Sequence, residues 1–235
     1  MDLFDLRWEI IWNYRELYIR GIGITLLLTL CGYLLGITGG VILGLAQTGK
    51  NKVIYWLAKI YVDVFRGTPM LVQIYIIHLA LIPTVFGESK GWLVSGIIAL
   101  GLNSAAYNAE IFRAGIQSID RGQMEAARSL GLTQGQAMRK VILPQAVRRM
   151  VPPLGNEFIT LLKDSSLINV IAAADILYAS KMVAGTYMTV WEPYLFAAFL
   201  YLIMTLVITK ILSIIEKRFD INNPRKKKRK ERAEV

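Results

Sequence analysis

Residues 21–46 read GIGITLLLTLCGYLLGITGGVILGLA, and no charged side chain interrupts them. A helix needs about 20 mostly apolar residues to cross a hydrocarbon core. The runs 92–112, 151–174 and 194–215 are long enough to do the same, and 53–83 is apolar but broken by RGTP at 66–69. Apolar residues make up 54 % of the chain and charged ones 19 %, against about 45–50 % and 25 % in a soluble domain. The expectation is an all-α integral membrane protein of five transmembrane helices. Residues 1–20 form an interfacial, extracytoplasmic lead-in, 21–216 the membrane domain, and 217–235 a basic tail.

The N-terminus, MDLFDLRWEIIWNYRELYIR, lacks the basic start, apolar centre and small-residue cleavage site of a signal peptide. Cys31 is the only cysteine, so no intrachain disulfide can form. With five alternating spans, segments 47–53, 113–150 and 217 onward share one side and hold 18 of the 27 Lys and Arg, while the other side holds five. Such a bias marks the cytoplasmic side, which puts the N-terminus outside and the C-terminus in the cytoplasm. The formal charge of +10 and the tail NNPRKKKRKERAEV therefore read as an orientation block that touches anionic membrane lipid, not as a nucleic-acid arm.

Gly32, Gly36, Gly40 and Gly44 recur every four residues, a ridge that lets another helix approach closely, within the subunit or between subunits. The ridge runs into GLAQTGKN, a near miss to a phosphate-binding loop. Asn51 stands where a hydroxyl would ligate magnesium, and a membrane helix precedes where a strand is required, so no nucleotide site is expected.

In FRGTPMLVQIY, residues 65–75, Gly67 and Pro69 should interrupt the second span. Thr68 then serves as N-cap and Pro69 as the first residue of a restarted helix. The N–H groups of Met70 and Leu71 would point out unpartnered from its positive end, the arrangement that receives carboxylates in transporters; a packing kink is the alternative. His78, the only histidine, reads as a satisfied membrane histidine and not as a ligand.

The segment 113–150 is built as structure. Asp120 with Gln123 starts one helix that should end at Gly131, and Thr133 with Gln136 starts another that Pro144 kinks or ends. Tethering between two spans leaves a DNA-reading helix–turn–helix no room to reach a groove, so a docking element for a cytoplasmic protein is the better reading.

The stretch EAARSLGLTQGQAMRKVILPQA resembles the EAA loop of permease subunits of ATP-binding-cassette importers, through Glu125, Ala126, Ala127, Gly131, Leu143 and Pro144, with Val141 in place of isoleucine. RGTPMLVQIY, SAAYNAEIFRAGIQSI and NEFITLLKDSSL look like the branch that imports polar amino acids. The resemblance covers roughly residues 15 to 220. It implies a bacterial cell-membrane protein, not an enzyme, that pairs with a second permease subunit, itself or a homologue. The loop, 119–150, would dock on a cytoplasmic ATPase that binds the ATP and magnesium, this chain holding no cofactor or metal. An extracytoplasmic binding protein would deliver the substrate.

GNEFITLLKDSSLINVI, residues 155–171, sets Glu157, Lys163 and Asp164 in an apolar run, at a cost of about 2.5–3.5 kcal/mol for a charge at the bilayer centre. Glu157 and Asp164, seven apart, share a helix face, whereas Lys163 sits about 100° round from Asp164 unless DSS caps a new helix. The three lock the bundle, Lys163 pairing with a carboxylate such as Glu110; or they relay ions in a secondary transporter; or they help bind a zwitterion. The last is the working hypothesis: Glu157, Asp164, Lys163, Thr68, Met70 and Leu71 hold a polar amino acid, a basic one best, with the Met70 and Leu71 N–H groups on its carboxylate.

Overall fold

The computed structural model describes residues 7–49 and 51–218; from residue 219 on, the expected basic tail lies outside them. No strand occurs among the described residues. The order is α1 (Glu9–Asn13), α2 (Arg15–Thr48), α3 (Lys52–Gly67), α4 (Met70–Ile76), a π-helical turn Ile77–Leu81, α5 (Ile82–Phe86) and α6 (Gly91–Gln117). Then come α7 (Arg121–Ser129), α8 (Gln134–Ala137), a second π turn Met138–Ile142, α9 (Leu143–Asp164), a 3₁₀ turn Ser165–Ile171, α10 (Ile176–Tyr187) and α11 (Trp191–Arg218).

α2 and α11 are each long and apolar enough to cross a membrane. Two bent pairs pass the same test together: Lys52–Gly67 with Met70–Phe86, bent by 110°, and Gln134–Ile171 with Ile176–Tyr187, bent by 50°. α6, at 27 residues, extends about 40 Å at 1.5 Å per residue. Its centre buries Asn103, Ser104 and Asn108, which lowers its hydropathy.

The glycine ridge packs within the subunit, against α6. A Cβ built on Gly32 would lie 2.7 Å from Leu100 Cβ, on Gly36 2.6 Å from Ser104 Cβ, and on Gly44 2.8 Å from Phe112 Cβ; Gly40 closes likewise on Asn108. Real Cβ atoms do not approach so closely, so only glycine allows this spacing. The partners climb in step, 100, 104, 108 and 112, so α2 and α6 run parallel. Segment 49–90 must therefore carry the chain back between them. It passes α6 in the reverse sense: Arg66 lies 5.5 Å from the Tyr107 ring, Gln73 bonds Asn103, and His78 bonds Ser95.

Proline sets the irregular turns. A proline lacks an N–H, and its ring crowds the carbonyl four residues back. For Pro83 and Pro144 those carbonyls belong to Leu79 and Lys140, each inside a π turn, where the widened backbone accommodates the ring. Of the two outcomes expected at Pro144, an end to the helix does not occur: the π turn takes up its ring, and α9 runs on through Pro152 and Pro153 to Asp164.

At the other end, Asp175 is fully buried and caps α10 by accepting from Tyr178 N at 2.8 Å. Gly21 admits the α10 backbone, 2.8 Å from where its Cβ would stand. Ile10 and Ile11 of α1 pack with Tyr18, Ile176, Val183 and Ala197, while Trp8 and Trp12 face outward. Residues 7–20 are therefore docked on the bundle on one side and leave two indoles exposed on the other.

Gly36→Val is expected to cost at least about 1–3 kcal/mol by overpacking the seam, read as a lower melting temperature of the detergent-purified chain. Gly23→Ala, where a Cβ meets nothing within 4 Å, is expected to stay within about 0.5 kcal/mol.

Candidate functional site

Glu157 is half-buried on α9. It accepts a hydrogen bond from Ser104 Oγ at 3.1 Å, and Ser104 accepts one from Asn108 Nδ2 at 3.0 Å. Tyr33 of α2 braces the same turn: its hydroxyl donates to Leu154 O at 3.0 Å, and its ring stands edge-on to Phe158 at 5.1 Å. Asp164 is half-buried at the end of α9, and Lys163 beside it is exposed. Among the described residues, no ion pair involves Glu157, Lys163 or Asp164.

The suggested Lys163–Glu110 pair does not form. Glu110 is held by Arg113 and, at 3.7 Å, by Arg66. α9 runs opposite to α6, since Gly115 faces Met150 and Gly96 faces Ile168. Lys163 therefore lies roughly 13 Å along α6 from Glu110 at 1.5 Å per residue. Nor does DSS start a helix. Asp164 passes into the 3₁₀ turn, the break comes at Ala172 with φ 64°, and the restart is capped by Asp175.

The second span is broken where expected, but its parts are used differently. Thr68 is extended and makes no cap bond; Pro69 stands at the N-cap position and not inside the helix. The Thr68 hydroxyl donates to Val64 O at 2.8 Å and accepts from Gln73 Nε2 at 2.8 Å. The ladder of α4 opens with Val72 and Gln73 N–H on Pro69 O, so the Met70 and Leu71 N–H groups precede it. Met70 packs against the core of Leu28, Leu100, Leu161 and Ile168, while the Leu71 side chain is exposed. That core joins the start of α4 to the C-terminal end of α9 and the 3₁₀ turn after it.

Gln73, unanticipated, closes the break. Its Nε2 also reaches Phe65 O at 2.8 Å and Thr68 O at 3.0 Å, and its Oε1 accepts from Asn103 at 2.8 Å. The signal was available: a buried polar side chain in an apolar helix must find partners, and a 110° bend leaves carbonyls in need of donors. His78 is satisfied by Ser95 at 2.9 Å.

The loop folds over its own apolar core of Ile119, Ile142, Ala146 and Met150, with Met124, Met138 and Val141 against it. Asp120 caps α7 through Gly122 N at 2.7 Å. Gln123 does not close a capping box; its side chain accepts from Gln145 instead. α7 stops at Gly131, φ 84°, with Leu132 N on Ala127 O at 3.2 Å and Gly131 N on Arg128 O at 3.0 Å. This paired termination requires a left-handed residue, hence glycine. Thr133 and Gln136 form the full capping box, but the helix they start runs through the π turn into α9. The loop is therefore one short helix set on the foot of a long one. Ala127 is buried and Leu143 half-buried, while Glu125, Ala126, Gly131 and Pro144 are exposed, and Leu130 is 84 % exposed at the tip. Of the phosphate-loop near miss, Gly44 to Thr48 complete α2, and Asn51 caps α3 by accepting from Val53 N at 2.9 Å.

Comparison with known proteins now adds to this geometry. Residues 36–221 match the family described as "Binding-protein-dependent transport system inner membrane component". The arginine transport system permease protein ArtQ of Bacillus subtilis is 35 % identical over 205 residues, 87 % of this chain and 93 % of that protein. A Bacillus subtilis protein named as a probable glutamine ABC transporter permease protein, GlnM, is 37 % identical over 196 residues, 82 % and 90 % of the two chains. The crystal structure of an amino acid ABC transporter with histidines aligns with TM-score 0.86 at 40 % identity, covering 92 % of this chain and 100 % of that one. The helical membrane fold and the motif-borne resemblance converge with these matches, and the chain belongs to the family of inner membrane components of binding-protein-dependent transport systems.

Proposed function

We propose that this chain is the membrane-spanning subunit of an ATP-driven amino-acid importer, with five crossings, its N-terminus outside and its C-terminus in the cytoplasm. The similarity to ArtQ and GlnM supports the amino-acid class, and the charge bias of the loops supports the orientation. The observation that carries the coupling role is the loop itself. A fixed turn at Gly131 presents Glu125, Ala126 and the exposed Leu130 from a small core that ties them to α9. A force on that surface moves the helix that holds Glu157. The partner there is a cytoplasmic ATPase, which carries the ATP and magnesium. Arg149, Asn156, Thr160 and Lys163 form an exposed polar stripe along α9. Polar residues at membrane depth face a bundle interior or an aqueous cavity, so this stripe borders the pathway shared with a second permease subunit. An extracytoplasmic binding protein loads that pathway.

Within it, Glu157 and Asp164 contact the substrate, with Lys163, Thr68 and the Met70 and Leu71 N–H groups completing the site. A cationic amino acid is favoured because no protein cation pairs with either carboxylate among the described residues. Calorimetry on the chain assembled with its ATPase, without the binding protein, tests this: Glu157→Gln is expected to weaken saturable arginine binding at least about tenfold, about 1.4 kcal/mol. Unchanged binding would return the charges to a structural role, and tighter binding of glutamine would favour a neutral substrate. Gly131→Pro cannot adopt φ 84°. It is expected to abolish co-purification of the ATPase while membrane insertion persists; retained co-purification would remove the loop from the docking surface. Uptake that continues without any ATPase would point instead to an ion-coupled secondary transporter.

A further inference from the structure

The contacts behind Glu157 have a direction. Asn108 Nδ2 donates to Ser104 Oγ, and Ser104 Oγ donates to Glu157 Oε1. A hydroxyl has one hydrogen, an ionised carboxylate only accepts, and an amide nitrogen only donates. Asn108 therefore fills an acceptor position on Ser104 and leaves the hydroxyl hydrogen for Glu157. Ser104 and Asn108 are fully buried, whereas Glu157 is half-buried, so the chain leads from the closed α2–α6 seam toward an open face. Asn108 Oδ1 is buried without a donor. The backbone enforces the burial of both residues: Gly36 abuts Ser104, and Gly40 abuts Asn108.

We propose that Ser104 and Asn108 are positioning residues of the substrate site, which fix Glu157 through Oε1 and leave its charge for a cationic group on the bound amino acid. The inference rests on the reading of Glu157 as a substrate contact. Its chemical content is that the anchor is neutral. A lysine or arginine in the place of Ser104 would hold the carboxylate equally well but cancel its charge; a hydroxyl holds it and cancels nothing. Preference for a cationic side chain then depends on α6 as well as on α9.

The test uses the chain assembled with its ATPase partner, titrated with L-arginine and with L-citrulline, whose ureido group has a similar shape without the charge. The wild type is expected to bind arginine at least about tenfold more tightly. Ser104→Ala is expected to shrink that ratio at least about fivefold and to leave citrulline affinity unchanged, with a smaller effect from Asn108→Ala. In a Glu157→Gln background, Ser104→Ala is expected to change neither affinity, as two residues acting through one contact require. No change in the ratio, equal losses for both ligands, or a loss that persists in the Glu157→Gln background would each overturn the positioning role. If Ser104→Ala fails to assemble, Asn108→Ala carries the same comparison. A wild type without arginine preference, or a Glu157→Gln variant that keeps it, overturns the substrate reading and with it the positioning role.

Discussion

The close approach of α2 and α6 is the constraint on which the rest of the structure depends. In lipid, helices gain little from hiding apolar surface, so association rests on tight packing and on polar contacts between helices. Four glycines spaced one turn apart supply the first, and on α6 Ser104, seated beneath Gly36, supplies the second by bonding Glu157 of α9. Because the two helices run parallel, the intervening chain must cross back. The broken segment α3–α5 is therefore a consequence of the seam as much as of Gly67 and Pro69.

Each irregularity is resolved by a nearby donor, cap or widened turn, as a medium without water demands. Gln73 and Asn103 supply the break after Gly67 with side-chain hydrogen bonds. The π turns absorb Pro83 and Pro144, and Asp175 caps the restart after Ala172. Among the described residues, the carboxylates of Glu157 and Asp164 have no cation in an ion pair with them. Of these two, Glu157 is held by a neutral hydroxyl, while the fully buried Asp175 caps α10 and also accepts from Asn169 and Tyr201.

Much of this was legible in the amino-acid sequence because it rests on local chemistry. Apolar runs mark the helices, and the four-residue glycine period marks the seam. Gly131 and the Thr133–Gln136 box mark the loop, since caps and left-handed stops are decided by a few adjacent residues. What sequence reading missed depends on partners distant in the chain. That Gln73 reaches Asn103, or that Glu110 pairs with Arg66 and lies far from Lys163, follows only from how α3, α4, α6 and α9 are laid together. At Pro144 the helix does not end, because a π turn removes the clash. DSS looked like a helix start because its residues are good caps, yet packing of Ser165 and Ile168 in the core keeps the chain helical to Ile171.

The central claim is that the cation-free carboxylate held by this seam is part of the transport pathway. The most direct measurement is an experimental structure of the chain assembled with its ATPase and second permease subunit in lipid, with arginine present. The account expects a guanidinium or ammonium group at about 2.7–2.9 Å from the Glu157 carboxylate, the range of charge-assisted hydrogen bonds. A lysine or arginine of the second subunit occupying that position, with no ligand beside it, would contradict the account and make the charge part of the assembly interface.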